Sequence, residues 1–470
     1  MTDSASTTVK PFVIGFFEHM NPNGMTGATW RHPDNRGSDY LDLDYWMALA
    51  KRLEAAHADF LFFADSYGTP AVDGIVPDRA LRMADHIPAA DPFAVIPAIF
   101  AVTKHLPVVV TASTIFEEPY ANARRFATLD HISKGRIGWN VVTSAGAQAA
   151  ADSFGRDLVP HDERYDRADD YLALSYRLFE GSWEPDSVVK DRELDAYADP
   201  AKVHPVRYEG PYFRSKGVFS VEPSPQRVPF VFQAGSSGRG REFAATHAEC
   251  VFLQGTTVEN DATSVADIRA RATAAGRDGD AIRILVGLTV IIGDTPEQAQ
   301  AKYEEFASFH SEEIAASQFS HYSGVDLLSL DPDQPIPAGN DQLSQSNVQR
   351  FEGWTVREIL NELKTRGVRG IILVGTPGEV ADRMEEYAAA TGVDGFLMET
   401  YTNPGTYDEI LDELLPELRT RGRAPEPFTT ATLRERFQGE GQPLLPDSHP
   451  AAAHRVGGAH GESGLVQARV

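Results

Sequence analysis

The chain of 470 residues contains a single cysteine, Cys250. One thiol makes neither an intramolecular disulfide nor a cysteine-rich zinc site, which excludes a stapled secreted scaffold and a zinc ribbon. Cys250 itself opens an apolar run, so it reads as a small buried hydrophobe and not as a nucleophile. Positive charge is also scarce: 43 Lys and Arg stand against 68 Asp and Glu, a formal net charge of −25. That balance argues against nucleic acid or an anionic membrane as the main partner. No apolar run reaches the ~18 to 20 residues that span a bilayer, and the opening stretch MTDSASTTVKPFVIGFF lacks a basic segment followed by a long apolar one. The reading is a cytoplasmic chain. Histidines 19, 32, 131, 161, 204, 247, 310 and 321 show no metal-ligand spacing, so no metal is expected. What is present is ordinary globular material, 42% hydrophobic and 24% charged with mean hydropathy −0.30, enough for a large core.

Short runs rich in Val, Ile and Phe recur at residues 12–17, 59–64, 108–113, 136–142, 228–233, 250–254, 282–292 and 394–399, separated by stretches of helical spacing such as LDYWMALAKRLEAA from Leu43. Near-continuous apolar runs of this length suit parallel strands buried on both faces. Eight β/α alternations fit an α/β TIM (β/α)8 barrel, with a doubly wound open sheet as the rival. A barrel needs about 250 residues, so roughly 220 remain as long insertions and extensions. The weakly periodic segments near 18–42, 66–91, 145–160, 183–227 and 308–353 are the insertions of one domain over 1–425. Residues 426–470 are a C-terminal extension, rich in Pro, Gly and His, expected to wrap a neighbouring subunit or to lack fixed structure. Insertions after strands suggest a deep pocket, and 308–353 is the candidate lid.

Three polar clusters lie between these runs. The loop QAGSSGRGREFAA from Gln233 offers glycines, the hydroxyls of Ser236 and Ser237, and Arg239 and Arg241 ahead of a helix N-terminus, a combination that suits a phosphate. It also reads as a Gly-rich barrel turn with a capping serine. No GK[ST] follows, and the dinucleotide fingerprint fails on spacing. In VPHDERYDRADDYL, His161 and Tyr165 share a helical face and would point at one ligand, although a capping region with solvated charges has the same composition. In GWNVVTSAG, Asn140, Thr143 and Ser144 stand at a strand end where they would hydrogen-bond a polar heterocycle or serve the fold alone.

Together these stretches resemble the bacterial luciferase-like flavin monooxygenases, in the branch holding nitrilotriacetate, dibenzothiophene sulfone, long-chain alkane and dimethylsulfide monooxygenases. The resemblance runs in order through TWRHPDN at Thr29, DLDYWMALAKRLE at Asp42, FLFFAD ending at Asp65, EPYANARRFATLDHISKGRIGWNVVTS from Glu118, HDERYDRADDYL from His161, ADPAKVHPVRYEGPYF from Ala198, EPSPQRVPFVFQAGSSGRGREFAATHAECVF from Glu222 and DGFLMETYTNPGTYDE from Asp394. It implies a TIM barrel that uses FMN, delivered reduced as FMNH2 by a separate NAD(P)H:flavin reductase, with O2 as co-substrate and a homodimer or homotetramer as the assembly. By the same resemblance, Asp65, Thr111, His161, Tyr165 and Ser237 match FMN-contacting positions, joined by Asn140 and Ser236. Ser237 would hold the phosphate, His161 and Tyr165 would flank phosphate and ribityl chain, and Asp65 and Thr111 would lie near the ring.

The chain departs from the alkane and dimethylsulfide enzymes in lacking a cysteine after the first strand, where it reads FFEHMNPNGMTGATWRH from Phe16, and in carrying Ala145 where the alkane enzyme has a histidine. The pocket would instead be lined by Phe17, His19, Met20, Asn21 and Met25, with His321 approaching from the lid. His19 and His321 are the catalytic candidates. An apolar lining favours a small hydrophobic, organosulfur or halogenated aromatic substrate over an aminopolycarboxylate, which calls for converging Arg or Lys. Long-chain alkane or aminopolycarboxylate oxygenation, and a non-catalytic flavin-binding role, are the alternatives.

Overall fold

All eight apolar runs form parallel strands, because each is long enough for four or more residues and apolar on both faces. The computed structural model describes residues 10–24, 28–71, 74–144, 146–235, 237–323, 325–336, 351–367 and 369–457. Its main sheet contains β1 (Val13–His19), β2 (Phe60–Ala64), β3 (Val108–Ser113), β4 (Ile137–Val142), β5 (Phe230–Gln233), β6 (Cys250–Leu253), β7 (Arg283–Ile292), β8 (Ile371–Gly375) and β9 (Gly395–Glu399). Strands β1 to β6 pair in sequence, β9 lies between β1 and β7, and β7 pairs back onto β6 from Cys250 beside Arg283 to Leu253 beside Val286. The sheet is therefore a closed parallel barrel of eight strands, a TIM barrel with insertions.

Strand β8 was not among the eight runs. It pairs with the far half of the ten-residue β7, from Leu288 beside Ile371 to Ile292 beside Gly375, outside the closed ring. IILVG carries the same apolar signal as a barrel strand, and only the register distinguishes them.

Side chains along each strand alternate between the barrel interior and the helical layer. The lower interior is apolar and aromatic, packed from Phe17, Phe60, Phe62, Val109, Phe230, Phe232, Phe252, Leu285 and Leu397. Two residues further along the strands the interior turns polar, at His19, Thr111, Asn140, Gln254 and Glu399. This switch forms the floor of the functional cavity.

The N-terminal end of the barrel is closed by the C-terminal extension. Helix Leu433–Gln438, started by a Thr432–Glu435 capping box, inserts Leu433 and Phe437 into the aromatic cluster. Arg434, fully buried, forms a two-pronged ion pair with Glu249 at 2.7 and 3.0 Å, and Arg436 holds Asp59 at 2.6 Å. Residues 426–457 thus pack against their own barrel, contrary to the expectation of a lack of fixed structure, because apolar Leu433 and Phe437 find their burial there; residues 458–470 of the extension lie outside the described residues. The 183–227 insertion follows a helix, not a strand. It forms two antiparallel hairpins, Val188–Asp191 with Ala196–Ala198 and Val206–Glu209 with Arg214–Gly217. Among the described residues, no helix is long and apolar enough to cross a membrane.

Candidate functional site

The C-terminal ends of the strands open into a cavity of about 380 Å³. Its wall includes His19, Asp65, Thr111, Asn140, His161, Tyr165, Ser237 and His321. The described candidates for flavin contact and catalysis therefore meet in one place, although they come from seven strands and helices or their immediate ends, whereas Arg239 and Arg241 do not line the cavity. Ser236, Met25 and Ala145 lie outside the described residues.

One end of the cavity is built for an anion. Ser237 is the N-cap of helix Gly238–His247, its Oγ accepting from Gly240 N at 3.0 Å. Helix His161–Gly181 starts at the same place, so two positive helix ends converge. Tyr165 reaches the loop so closely that a Cβ at Gly235 or Gly240 would stand 2.9 or 2.8 Å from its hydroxyl, which explains both glycines. His161 packs edge-on to Tyr165 with ring centres 5.4 Å apart, and its Nδ1 lies 2.8 Å from Asp162. Arg239 and Arg241, expected to supply positive charge, are instead engaged in ion pairs, with Asp166 and Asp169 and with Asp267 respectively.

The cation at this end is Arg164, which in the sequence looks like one more solvated charge of the helix start. It lines the cavity, is 4% exposed, and donates Nη1 to Ser144 O at 3.2 Å. Its Nε has no hydrogen-bond partner, and none of the ion pairs among the described residues includes it. Burial without a carboxylate lowers its pKa, so the charge is destabilised until an anion arrives. The spacing held the signal: residues 161, 164 and 165 share one helical face.

At the floor, hydrogen bonds run in one direction. Thr111 Oγ1 donates to Phe63 O, and Asn140 Nδ2 donates to Thr111 Oγ1, each at 2.9 Å. The order of donors fixes the Asn140 amide and leaves its buried Oδ1 without a partner. Asp65 accepts from Ser66 N at 2.9 Å. Burial pushes its carboxyl up to about 7, with Asp91 and Glu117 adding like charge.

The other end carries imidazoles. His86 and His321 stack with centres 4.0 Å apart, His19 stands 6.1 Å from His86, and His86 Nδ1 lies 2.9 Å from buried Asp85. Burial, reinforced by the neighbouring His86, pushes His19 down to about 3 and His321 well below its usual value. Both are neutral hydrogen-bonding groups at neutral pH. His86, in the 66–91 insertion, is absent from the sequence reading because no spacing links residues 19, 86 and 321. Helix Glu312–Ser323 supplies Phe319, Ser320 and His321 to the cavity wall, and the 183–227 insertion supplies none of its lining. Among the described residues no group of three or more His, Cys, Asp or Glu is arranged to hold a metal.

The chain that carries this site matches a known family. Residues 25–395 fit the family model for luciferase-like monooxygenases. The chain belongs to that family. It is 42% identical to the dimethyl-sulfide monooxygenase of Hyphomicrobium sulfonivorans, over 95% of this chain and 94% of the relative. It is also 42% identical to the long-chain alkane monooxygenase of Geobacillus thermodenitrificans (strain NG80-2), over 95% and 98%. A solved riboflavin lyase with modified FMN and riboflavin bound superposes with a TM-score of 0.92 at 44% identity, covering 95% of this chain and all of that one. Membership bears out the resemblance drawn from the motifs, and makes the chain an enzyme, a flavin-dependent monooxygenase by class.

Proposed function

We propose that this luciferase-like monooxygenase is the oxygenating component of a two-component system, taking FMNH2 from a separate NAD(P)H:flavin reductase and using O2 to place one oxygen atom on a small organic substrate. The observation that carries the flavin is Arg164, a buried cation with no carboxylate, set beside two helix N-termini at one end of the cavity. FMN fits this donor set. Arg164, Ser237, His161 and Tyr165 suit its phosphate and ribityl chain, Asn140 and Asp65 offer hydrogen bonds to a heterocycle, and Phe17, Phe62 and Phe252 give an apolar floor.

When bound and reduced, the flavin together with O2 supplies the oxygen atom that is transferred. The protein binds, orients and keeps out water. Helix Glu312–Ser323, in the 308–353 insertion, contributes to the cavity wall together with Phe351 and is the proposed lid, residues 337–350 of that insertion lying outside the described residues. His19 and His321, neutral through burial, act on the substrate as hydrogen-bond partners and not as charged acids. The assembly proposed is a homodimer or homotetramer in the cytoplasm.

The apolar floor supports a small hydrophobic, organosulfur or halogenated aromatic substrate. One observation favours a second reading. On the lid helix, Ser320 lines the cavity with its Oγ buried and without a hydrogen-bond partner, and a hydrocarbon ligand would leave it so at about 1–3 kcal/mol. A hydroxyl-bearing heterocycle, such as the riboflavin bound by the similar lyase, offers it a partner. The test is to supply photoreduced FMN and O2 with dimethyl sulfide, a long-chain alkane, a halogenated phenol and riboflavin in turn, following product mass. Gain of oxygen or cleavage on one substrate is expected. Tight FMN binding with no product from the whole panel would favour a non-catalytic flavin-binding protein.

A further inference from the structure

At the C-terminal end of β9 lies a carboxyl that no role above uses. Glu399 is fully buried, one interior step above Leu397. Gln254 Nε2 donates to its Oε1 at 3.0 Å, while Oε2 has no hydrogen-bond partner. The nearest cation does not pair with it. Arg369, also fully buried, donates Nη1 to Thr289 Oγ1 at 2.6 Å and to the main-chain oxygen of Glu399 at 3.3 Å, donates Nη2 to Thr400 O at 3.0 Å, and stacks on Tyr401. Room for the carboxyl is provided by Gly287, where a Cβ would stand 2.7 Å from Oε1. Gln254 lines the cavity, so Glu399 is one side chain removed from any ligand.

An amide has a donating end and an accepting end, and a carboxylate can only accept. Pairing with ionised Glu399 therefore commits the Gln254 NH2 to the carboxyl and leaves its carbonyl oxygen for the cavity. Asn140 is fixed in the same sense through Thr111, with Oδ1 left over. We propose that Glu399 is a positioning residue that holds the Gln254 amide as a hydrogen-bond acceptor at the cavity floor, so that the site selects a ligand face carrying N–H or O–H donors. The proposal rests on the flavin reading above. Those donors belong either to the flavin ring or to the substrate, whose chemistry at this contact is the same.

The arrangement is sensitive to protonation. Burial pushes the Glu399 carboxyl up to about 7, opposed by Arg369 and by the Gln254 and Thr289 side chains. Arg369, Tyr401, Thr289 and Gln254 are the charged and polar groups that face it. A neutral Glu399 can either accept from or donate to Gln254, so the amide is no longer held one way round and NH2 can also face the cavity. Acceptor display is then complete above the transition and weakened below it, so a donor-bearing ligand binds tighter as pH rises.

The experiment is FMN titration by flavin fluorescence at about pH 6 and about pH 8, either side of the transition, on wild type, Gln254→Leu and Glu399→Gln, with the KM of the turned-over substrate at saturating flavin as the second arm. Wild type is expected to bind several-fold tighter at the higher pH. Gln254→Leu should lose about tenfold there, the scale of one hydrogen bond, and with Asp65→Asn as the common background, which removes the cavity-lining carboxyl that titrates in the same window, Glu399→Gln should bind equally at both pH values. A purely structural glutamate would not impose that pH profile. If FMN affinity is unmoved and the substrate KM follows the pattern, the donors are the substrate's. If neither follows it, the proposal is overturned while flavin binding stands; wild type that binds no FMN overturns the flavin reading and the proposal with it. Glu399→Gln preserves the side-chain shape and carries the test alone should Gln254→Leu not fold.

Discussion

The two ends of the barrel bury charge in opposite ways. At the N-terminal end, Arg434 meets Glu249 through two bonds and spends its remaining donors on the carbonyls of Gln226, Val228 and Pro443. At the C-terminal end, Arg164 has one backbone partner and no carboxylate, Asn140 keeps an unpartnered oxygen, and Glu399 keeps another. Equal burial therefore has unequal meaning. A fully paired charge at the closed end fastens the tail to the barrel, whereas an unpaired one beside a cavity is stabilised only by what binds there.

That contrast is broken or sharpened by substitution at each end. Replacing Glu249 with Ala strands a buried guanidinium and should cost about 3–5 kcal/mol of unfolding free energy in denaturant titration, with FMN affinity per folded molecule unchanged. Arg164→Met should do the reverse, weakening FMN by about a hundredfold, roughly 2–3 kcal/mol for charge-assisted bonds, while leaving stability equal or higher. Loss of stability at Arg164 without loss of affinity would erase the distinction between the ends.

Asp65 gives a smaller, signed effect. Its folded pKa is raised to about 7 from 3.8, so the folded state holds the proton more tightly and stability falls as pH rises between those values. Asp65→Asn should flatten that decline, by about 1 kcal/mol after allowing for partial exposure, seen in unfolding midpoints across the same pH range. Ser237→Ala should cost about 1 kcal/mol through loss of the helix cap, together with a several-fold weaker FMN complex.

Much of this was legible in the chain. Runs of Val, Ile and Phe declared the barrel strands, and the TWRHPDN, WNVVTS and HDERY stretches declared the family. The loop at Gln233 declared its phosphate-suited chemistry but misassigned the cation, since Arg239 and Arg241 look as available in a sequence as Arg164 does. Acidic partners on neighbouring helix positions, Asp166 and Asp169 against Arg239 and Asp267 against Arg241, decide which arginine stays unpaired. The C-terminal helix was missed for a similar reason: Leu433 and Phe437 look sparse in a Pro- and Gly-rich tail until the aromatic barrel floor is there to receive them.

Periodicity and local motifs, which are properties of neighbours along the chain, fix the strand count of the barrel, the family and a set of residues that meet at one cavity. Tertiary structure alone decided that β8 adds to β7 outside the ring, that His19, His86 and His321 meet, that the tail seals the barrel, and that Gln254 rests on Glu399. Each of these is a pairing across tens to hundreds of residues, and whether a buried polar atom finds a partner depends on which strands and helices close around it.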